Sequence, residues 1–329
     1  MEVRKLDLGR GLLGRAPFDW GWEMLLFTLR RLGYAILVAI TVSIVTFSLL
    51  RLSGDPAVAM AGEGATEEDV EFVRKTYGFD KSLPEQYWKW ASKALQGDLG
   101  ISAYLKEKPV AEIILERAPV TMKLGFFALT FALLLSIPLG VLAAMKPNTI
   151  IDRTALTIAV FGQAMPSFFF ALTLIFLFSV TYRIFPSSGS STWVHFILPS
   201  IALGYYATPQ IMRLTRAGMI DVLSSDYIRT ARAKGLKTYV VLFKHALRNA
   251  IIPVVSLSAA QLGFMLGGSV VIESVFTLNG LGRLAWQSIQ RSDFEVMQAI
   301  VLTIACFYIL FNLLADILNA LIDPRIRVH

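Results

Sequence analysis

Residues 32–50 read LGYAILVAITVSIVTFSLL, with Arg30 and Arg31 before them and Arg51 after. The run carries no charge. A bilayer core about 30 Å thick is crossed by about 20 mostly apolar residues in a helix, which satisfies its own backbone groups where no water is present. The run is too long for the apolar core of a signal peptide and follows a charged, aromatic-rich segment. It also lacks a small-x-small cleavage site. It reads as a retained membrane anchor.

Five further runs of this kind lie downstream, at 122–144, 155–181, 195–212, 250–272 and 296–321. The fourth is interrupted by Pro199, Gly204 and Pro209, which a span buried among other helices tolerates. The expected fold is an all-α integral membrane protein with six transmembrane helices. Composition agrees: 55% of the 329 residues are hydrophobic, 17% are charged, and the mean hydropathy is +0.59. Those values exclude a disordered chain, a collagen-like repeat and a disulfide scaffold. Cys306, alone of its type, cannot form an internal disulfide. An isoelectric point near 9.5 would ordinarily raise nucleic acid as a partner, but the hydropathy directs that charge to a lipid bilayer, and no nucleic acid is expected.

Orientation follows the side on which Lys and Arg accumulate. Segments 1–31, 145–154, 213–249 and 322–329 hold 18 of the 31 basic residues; 51–121, 182–194 and 273–295 hold 12. Both termini are therefore expected to be cytoplasmic, with 322–329 a short tail. The membrane core, 122–321, includes the 213–249 loop. Residues 51–121 form a sizeable helical extracytoplasmic insertion between helices 1 and 2. Within it, 67–77 carries Val70, Phe72, Val73 and Tyr77 at helical spacing, and 84–95 carries Tyr87, Trp88, Ala91 and Leu95. Gly78 and Pro84 separate the two stretches. These aromatics are expected to pack the insertion as a cap on the membrane domain.

Several chemistries are missing from the sequence. There is no G-x-x-x-x-G-K-[ST] to cradle phosphates, and His195, His245 and His329 are far apart, with no H-E-x-x-H or C-x-x-C. No Gly-x-Ser-x-Gly elbow occurs. No catalytic residue, metal site or cofactor is expected in this chain. Ion-coupled carriers retain ionisable groups in mid-membrane; here only Lys123 and Asp316 fall within the expected spans, near their ends, where headgroup or inter-subunit pairing accounts for them.

The 213–249 loop has eight basic residues against two acids, yet it is amphipathic. Asp221 and Asp226 are candidate N-caps. Tyr227, Ile228, Ala231 and Leu236 give one apolar edge, and Arg229, Arg232 and Lys234 fall elsewhere. Gly235 then punctuates the segment, and Val240, Phe243 and Leu247 begin a second helical stretch. Such a helix–glycine–helix knob suits docking into a groove of a soluble partner, and it equally suits an interfacial helix held by anionic lipid.

The segment Tyr227-Ile228-Arg229-Thr230-Ala231-Arg232-Ala233-Lys234-Gly235, followed by His245-Ala246-Leu247-Arg248-Asn249-Ala250 and Pro253, resembles the "EAA" cytoplasmic loop of binding-protein-dependent ABC importer permeases. More narrowly, it resembles the first permease of the peptide-type branch (dipeptide, oligopeptide or nickel). Arg229 and Thr230 stand where the general pattern has Glu and Ala, so no acid-specific contact carries over to position 229. Ala231 and Gly235 match. The resemblance runs nearly end to end. It includes Arg51-Leu52 with Gly54-Asp55-Pro56, Gly78-Phe79-Asp80 with Leu83-Pro84-Glu85-Gln86-Tyr87, and Gly97-Asp98-Leu99-Gly100-Ile101-Ser102. Arg117-Ala118-Pro119-Val120-Thr121, Glu273-Ser274-Val275-Phe276, Gly280-Leu281-Gly282-Arg283 and Asp323-Pro324-Arg325 complete it.

The resemblance implies a non-catalytic transport subunit of a bacterial inner membrane. It would form half of a pathway with a second homologous permease and receive substrate from an extracytoplasmic binding protein. Two ATPase subunits, which bind the ATP and Mg, would be coupled to it through residues 226–238. Asp226, Tyr227, Arg229–Lys234, Gly235 and Leu236 would form that contact, with Thr230, Ala231, Arg232 and Ala233 in its middle. Inside the membrane, Gln163, Pro166 and Ser167, and Ser256, Ser258 and Gln261, are the polar groups available to line a pathway. Gly263, Gly267 and Gly268 are expected to let helices approach closely. Cargo stays open among peptides, nickel and oligosaccharides, and an ion-coupled secondary transporter is the remaining alternative.

Overall fold

The computed structural model describes residues 17–62, 64–105 and 108–322. The expected motif at 323–325, the tail beyond residue 322 and residues 1–16 lie outside them. Among the described residues there are helices and no strands, only an isolated bridge between Ile101 and Pro109.

Helix α1 (Pro17–Ser53) contains the first span and begins well before it. Three short helices follow: α2 (Pro56–Ala61), α3 (Glu67–Tyr77) and α4 (Leu83–Ala94). At the start of α3 a reciprocal cap forms, because Thr66 Oγ1 accepts from the Asp69 N–H while an Asp69 carboxylate oxygen accepts from the Thr66 N–H. Helix α5 (Val110–Met145) starts twelve residues ahead of the expected second span and runs through Pro119 and Pro138 without ending. Residues 110–121 are thus helical and continuous with the helix that carries the second apolar run.

Among the described residues, four helices are long and apolar enough to cross a bilayer: α1, α5, α13 (Ile252–Val275) and α15 (Phe294–Ile322). The other two expected spans are segmented. The third comprises α6 (Ile150–Phe161), a 3-10 turn at Gly162–Ala164, α7 (Ser167–Leu174) and a π-helical stretch at Ile175–Thr181. Its break falls where Pro166 forces Met165 into extended backbone, φ −109° and ψ 145°. The fourth comprises a 3-10 turn at Trp193–Phe196, α8 (Ile197–Gly204) and the beginning of α9 (Thr208–Leu223), whose second residue is Pro209. Past α9 come α10 (Asp226–Ala233), a single turn α11 (Thr238–Val240), a π-helical stretch at Val241–Ala246 and α12 (Leu247–Ala250). Between α13 and α15 lies α14 (Leu281–Gln290).

Helix α5 is the central element. It packs along α8 and α9, while α13 lies on α15 and α1 lies on the other side of α15. The main core joins Leu124, Ala128 and Ala132 of α5 to Leu198 and Ala202 of α8, Ile211 of α9 and Met265 and Ile272 of α13. At one end, here the cap end, Val110, Ile113 and Ile114 pack against Leu281 and Leu284 of α14 and Val296 and Ile300 of α15. At the opposite loop end, Val141 and Ala144 pack against the 213–250 segment.

The cap is anchored to α1 by Tyr87 and Trp90: both rings contact Phe47, and the Tyr87 hydroxyl lies 2.8 Å from Ser43 Oγ. Trp88 and Leu95, expected to pack, are exposed, as is Phe72. The helical spacing at 84–95 was compatible with more than one face, and α1 selects the one bearing Trp90.

Candidate functional site

At the loop end, Ser225 precedes α10 in extended backbone and occupies the N-cap position. Asp226 is the first helical residue, and Asp221 lies within α9, so neither expected acid is the cap. Ile228 and Ala231 are buried in a cluster with Met219, Val241, Leu242, Ala246 and the α5 residues Val141 and Ala144. Tyr227 and Leu236, assigned to the same edge, are exposed. The Asn249 side-chain amide donates to the Tyr227 hydroxyl at 2.7 Å, which ties α10 to α12. Arg229 pairs with Asp226 at 2.7 Å in full solvent exposure, an arrangement worth little to stability. Thr230, Arg232, Ala233 and Lys234 complete the outward surface.

Gly235 ends the knob with φ +71°, a conformation that costs a side-chain-bearing residue about 1–2 kcal/mol. No atom lies within 4 Å of where a Cβ would stand. The glycine therefore answers to backbone shape and not to crowding. Beyond it the expected face of Val240, Phe243 and Leu247 is displaced: Val241, Leu242 and Ala246 are the buried residues, and Phe243 is exposed. The π-helical stretch supplies the reason, since its wider turn shifts the buried stripe by about one residue.

The loop between α5 and α6 is fixed to α9 by Asp152, whose carboxylate accepts from Arg216 Nε at 2.7 Å and Nη2 at 2.6 Å, and from the Asn148 N–H at 2.9 Å. The Arg216 hydrogen bond holds the Asp152 carboxyl below the usual carboxylate range, against the opposing effect of burial.

Deeper in the bundle, a cavity of about 210 Å³ is lined by Ser167, Tyr206, Gln261, Phe264 and Gly268, with Met265 and Ile272 in its apolar wall. Of the six pathway candidates, Ser167 and Gln261 line it. Gln163 is exposed and donates to the Tyr206 carbonyl at 3.0 Å. Gln261 donates to Gln210 Oε1, and the Tyr206 hydroxyl donates to the Met165 carbonyl. Pro166 precedes α7 at its N-cap position. Ser258 is buried with its hydroxyl closed onto the Val254 carbonyl at 2.6 Å, and Ser256 is not among the lining residues. Gly263 lies against the Tyr308 ring with no room for a Cβ, whereas Gly267 and Gly268 have open space around theirs. The close approach expected at three glycines is present within this chain at one.

Two family descriptions match the sequence. "Binding-protein-dependent transport system inner membrane component" covers residues 136–328, and the N-terminal membrane-component family of the same systems covers 24–125. The chain belongs to this family. The glutathione transport system permease protein GsiC of Escherichia coli K12 is 42% identical over 305 residues, covering 92% of this permease and 99% of the relative. GsiC of Pectobacterium atrosepticum matches with the same identity and coverage. Two inward-facing structures of the MetNI methionine ABC transporter superpose with TM-scores of 0.52 and 0.53 at 20% identity, covering 64% of this chain and 96% of theirs. They share its fold. The permease is thus a multi-pass inner membrane subunit of a peptide-type ABC importer with the type I permease fold.

Sequence reasoning misjudged the surroundings of three polar groups of this permease. Glu273 was placed outside the spans, yet it is fully buried near the end of α13. It accepts from Thr121 Oγ1 at 2.7 Å, Ser269 Oγ at 2.9 Å and the Arg283 N–H at 2.9 Å. The last is an orphan donor in the first turn of α14, where a carboxylate is favoured. Thr121 Oγ1 in turn accepts from the Leu281 N–H at 2.8 Å, so one carboxylate seats α14 on α5 and α13. Glu295, also counted outside, opens α15 beside Arg51. Asp316 pairs with Arg31 of α1 at 2.9 Å, because α1 lies along α15, a partner within the chain that the sequence did not suggest.

Proposed function

We propose that this permease forms half of a translocation pathway for small peptides, glutathione among them, with a second homologous permease supplying the other half. The supporting observation for the cargo is the 42% identity to glutathione permeases across 92% of the chain. The cavity beside Ser167 and Gln261 would belong to the pathway. Its walls are apolar apart from uncharged polar groups, a lining that lets substrate leave and places selectivity in the external binding protein. The basic loop end would face the cytoplasm, with both termini on that side, and the cap would face the binding protein.

Residues 226–238 would dock on one of two ATPase subunits, which bind ATP and Mg. What supports this is the division of α10 into two faces. Ile228 and Ala231 are locked into the α5–α9 core, so the helix is held firmly enough to transmit force. Arg229, Arg232 and Lys234 are left outward. Uptake into proteoliposomes holding the full complex and its binding protein tests the cargo. Glutathione and dipeptides should be accumulated in an ATP-dependent manner. Accumulation of nickel or an oligosaccharide in their place overturns the peptide reading.

A further inference from the structure

Where the cap meets α1, successive positions around α4 touch successive turns of the membrane helix. Gln86 and Trp90 line the same cavity as Arg51. The Trp90 ring also lies against Phe47, and the Tyr87 hydroxyl is 2.8 Å from Ser43 Oγ. Arg51, Phe47 and Ser43 are one turn apart, each about 6 Å deeper in the span than the last. Gln86, Trp90 and Tyr87 are neighbours around a helix of 3.6 residues per turn, so turning around α4 in that direction leads inward along α1. The next positions in the same direction are Ala91, Leu95 and Trp88. Their edge therefore faces the bilayer interior.

The depth agrees. Ser43 lies seven residues inside the outer end of the uncharged run at Leu50, about 10 Å along a helix. On the edge so directed, Trp88 is 74% and Leu95 90% exposed, and no described part of the chain covers them. Beside Ser43 on α1, Ile44 and Val45 are exposed as well, and the apolar edge of α4 borders that flank. The opposite edge of α4 is polar: Lys89 and Lys93 line the cavity on the Arg51 side, where Lys89 donates to the Tyr77 carbonyl at 3.1 Å and Lys93 lies 3.6 Å from Asp98.

We propose that α4 is an interfacial helix whose Trp88–Leu95 edge rests in the outer leaflet beside α1, at the boundary of headgroups and acyl chains. Amphipathic helices lie in that plane with the apolar face about 5–10 Å deep, and tryptophan is enriched at that level. The polar edge with Lys89 and Lys93 stays in water. The cap is thus held to the bilayer by lipid contact as well as by Tyr87 and Trp90. The proposal rests on α1 as a membrane span and is independent of the cargo.

Spin labels test it on the complete complex in phosphatidylcholine nanodiscs, without binding protein. Cys306 is first replaced by Ser, and single cysteines are introduced as Trp88→Cys, Leu95→Cys and, on the polar edge, Lys93→Cys, whose parent side chain is 58% exposed. Signal from the complex lacking an introduced cysteine is subtracted. Labels at 88 and 95 should collide with oxygen and be shielded from a water-soluble nickel chelate, with an oxygen-to-nickel ratio several-fold above that at 93. Each of the two positions reports independently, so failure of one variant to assemble leaves the other. Ratios at 88 and 95 equal to that at 93 would place the edge in water and overturn the proposal. Shielding of 88 and 95 from both reagents would also overturn it, and would assign the edge to contact with another subunit.

Discussion

Asp152 and Arg216 meet through two hydrogen bonds, at 2.7 and 2.6 Å, across 64 residues of sequence. The pair clamps the turn after α5 to α9, the helix that leads directly into the α10 knob. Planar two-point recognition of a carboxylate is a property of arginine that lysine does not reproduce.

Asp152→Asn should therefore destabilise the permease by about 1.5–3 kcal/mol, the range for hydrogen bonds to charged groups. Arg216→Met should do the same, and the double substitution should cost less than the two single costs added. Thermal unfolding of the four proteins in detergent measures the coupling. Strict additivity would show that the pair contributes nothing as a pair.

The same geometry fixes a pH dependence. The carboxyl of Asp152 sits below its ordinary value because of the Arg216 hydrogen bond. For Asp55, burial pushes upward, but hydrogen bonds from Arg74 and the Ala57 N–H outweigh it and the net direction is again down. A depressed folded-state value means that the unfolded chain takes up the proton first as the solution is acidified. The stabilisation is complete above the unfolded value of about 3.9 and is lost as pH falls through the lower folded value. Unfolding temperatures of the wild type should fall on acidification below about pH 4, with a shallower fall in Asp152→Asn.

Gly263 and Gly267, four residues apart on α13, should respond oppositely to a side chain. A Cβ at 263 runs into the Tyr308 ring, while one at 267 meets nothing within 4 Å. Gly263→Val is expected to cost about 1–3 kcal/mol through overpacking against α15. Gly267→Ala should leave the unfolding temperature of the chain unchanged or slightly raised. Equal losses at both positions would contradict the packing described.

Single substitutions of Ser167 or Gln261 should change transport rate without changing which substrate is preferred, since selection is placed in the binding protein. Competition uptake assays with paired peptides provide the measure. A tenfold change of preference from one such substitution would refute that division of labour.

Four long apolar helices were legible because hydrophobic burial in a bilayer leaves long uncharged runs such as 32–50. The breaks in the third and fourth spans were legible only in part: Pro199, Gly204 and Pro209 marked the fourth, while the effect of Pro166 on Met165 was overlooked. Glu273 was hidden by its position at the edge of an apolar run, where a buried acid and a solvated one look alike. Its partners, Thr121 and the first turn of α14, lie far off in sequence or in backbone N–H groups that no side-chain pattern reports. On α10, the expected apolar edge of Tyr227, Ile228, Ala231 and Leu236 contained the inward pair, Ile228 and Ala231, together with two residues that are exposed. Spacing misplaced the next helix because nothing in the residue pattern announces a π-helical turn at Val241–Ala246.

The most direct measurement for the central claim is substrate-stimulated ATP hydrolysis and uptake, recorded together on proteoliposomes containing the complete complex with Gly235→Glu in this permease. Gly235 has open space around it and a positive φ, so the substitution should leave the subunits assembled while distorting the end of the α10 knob. The expected result is an intact complex whose ATP hydrolysis no longer responds to substrate-loaded binding protein and whose uptake is lost. Stimulated hydrolysis and uptake equal to the wild type would contradict coupling through residues 226–238.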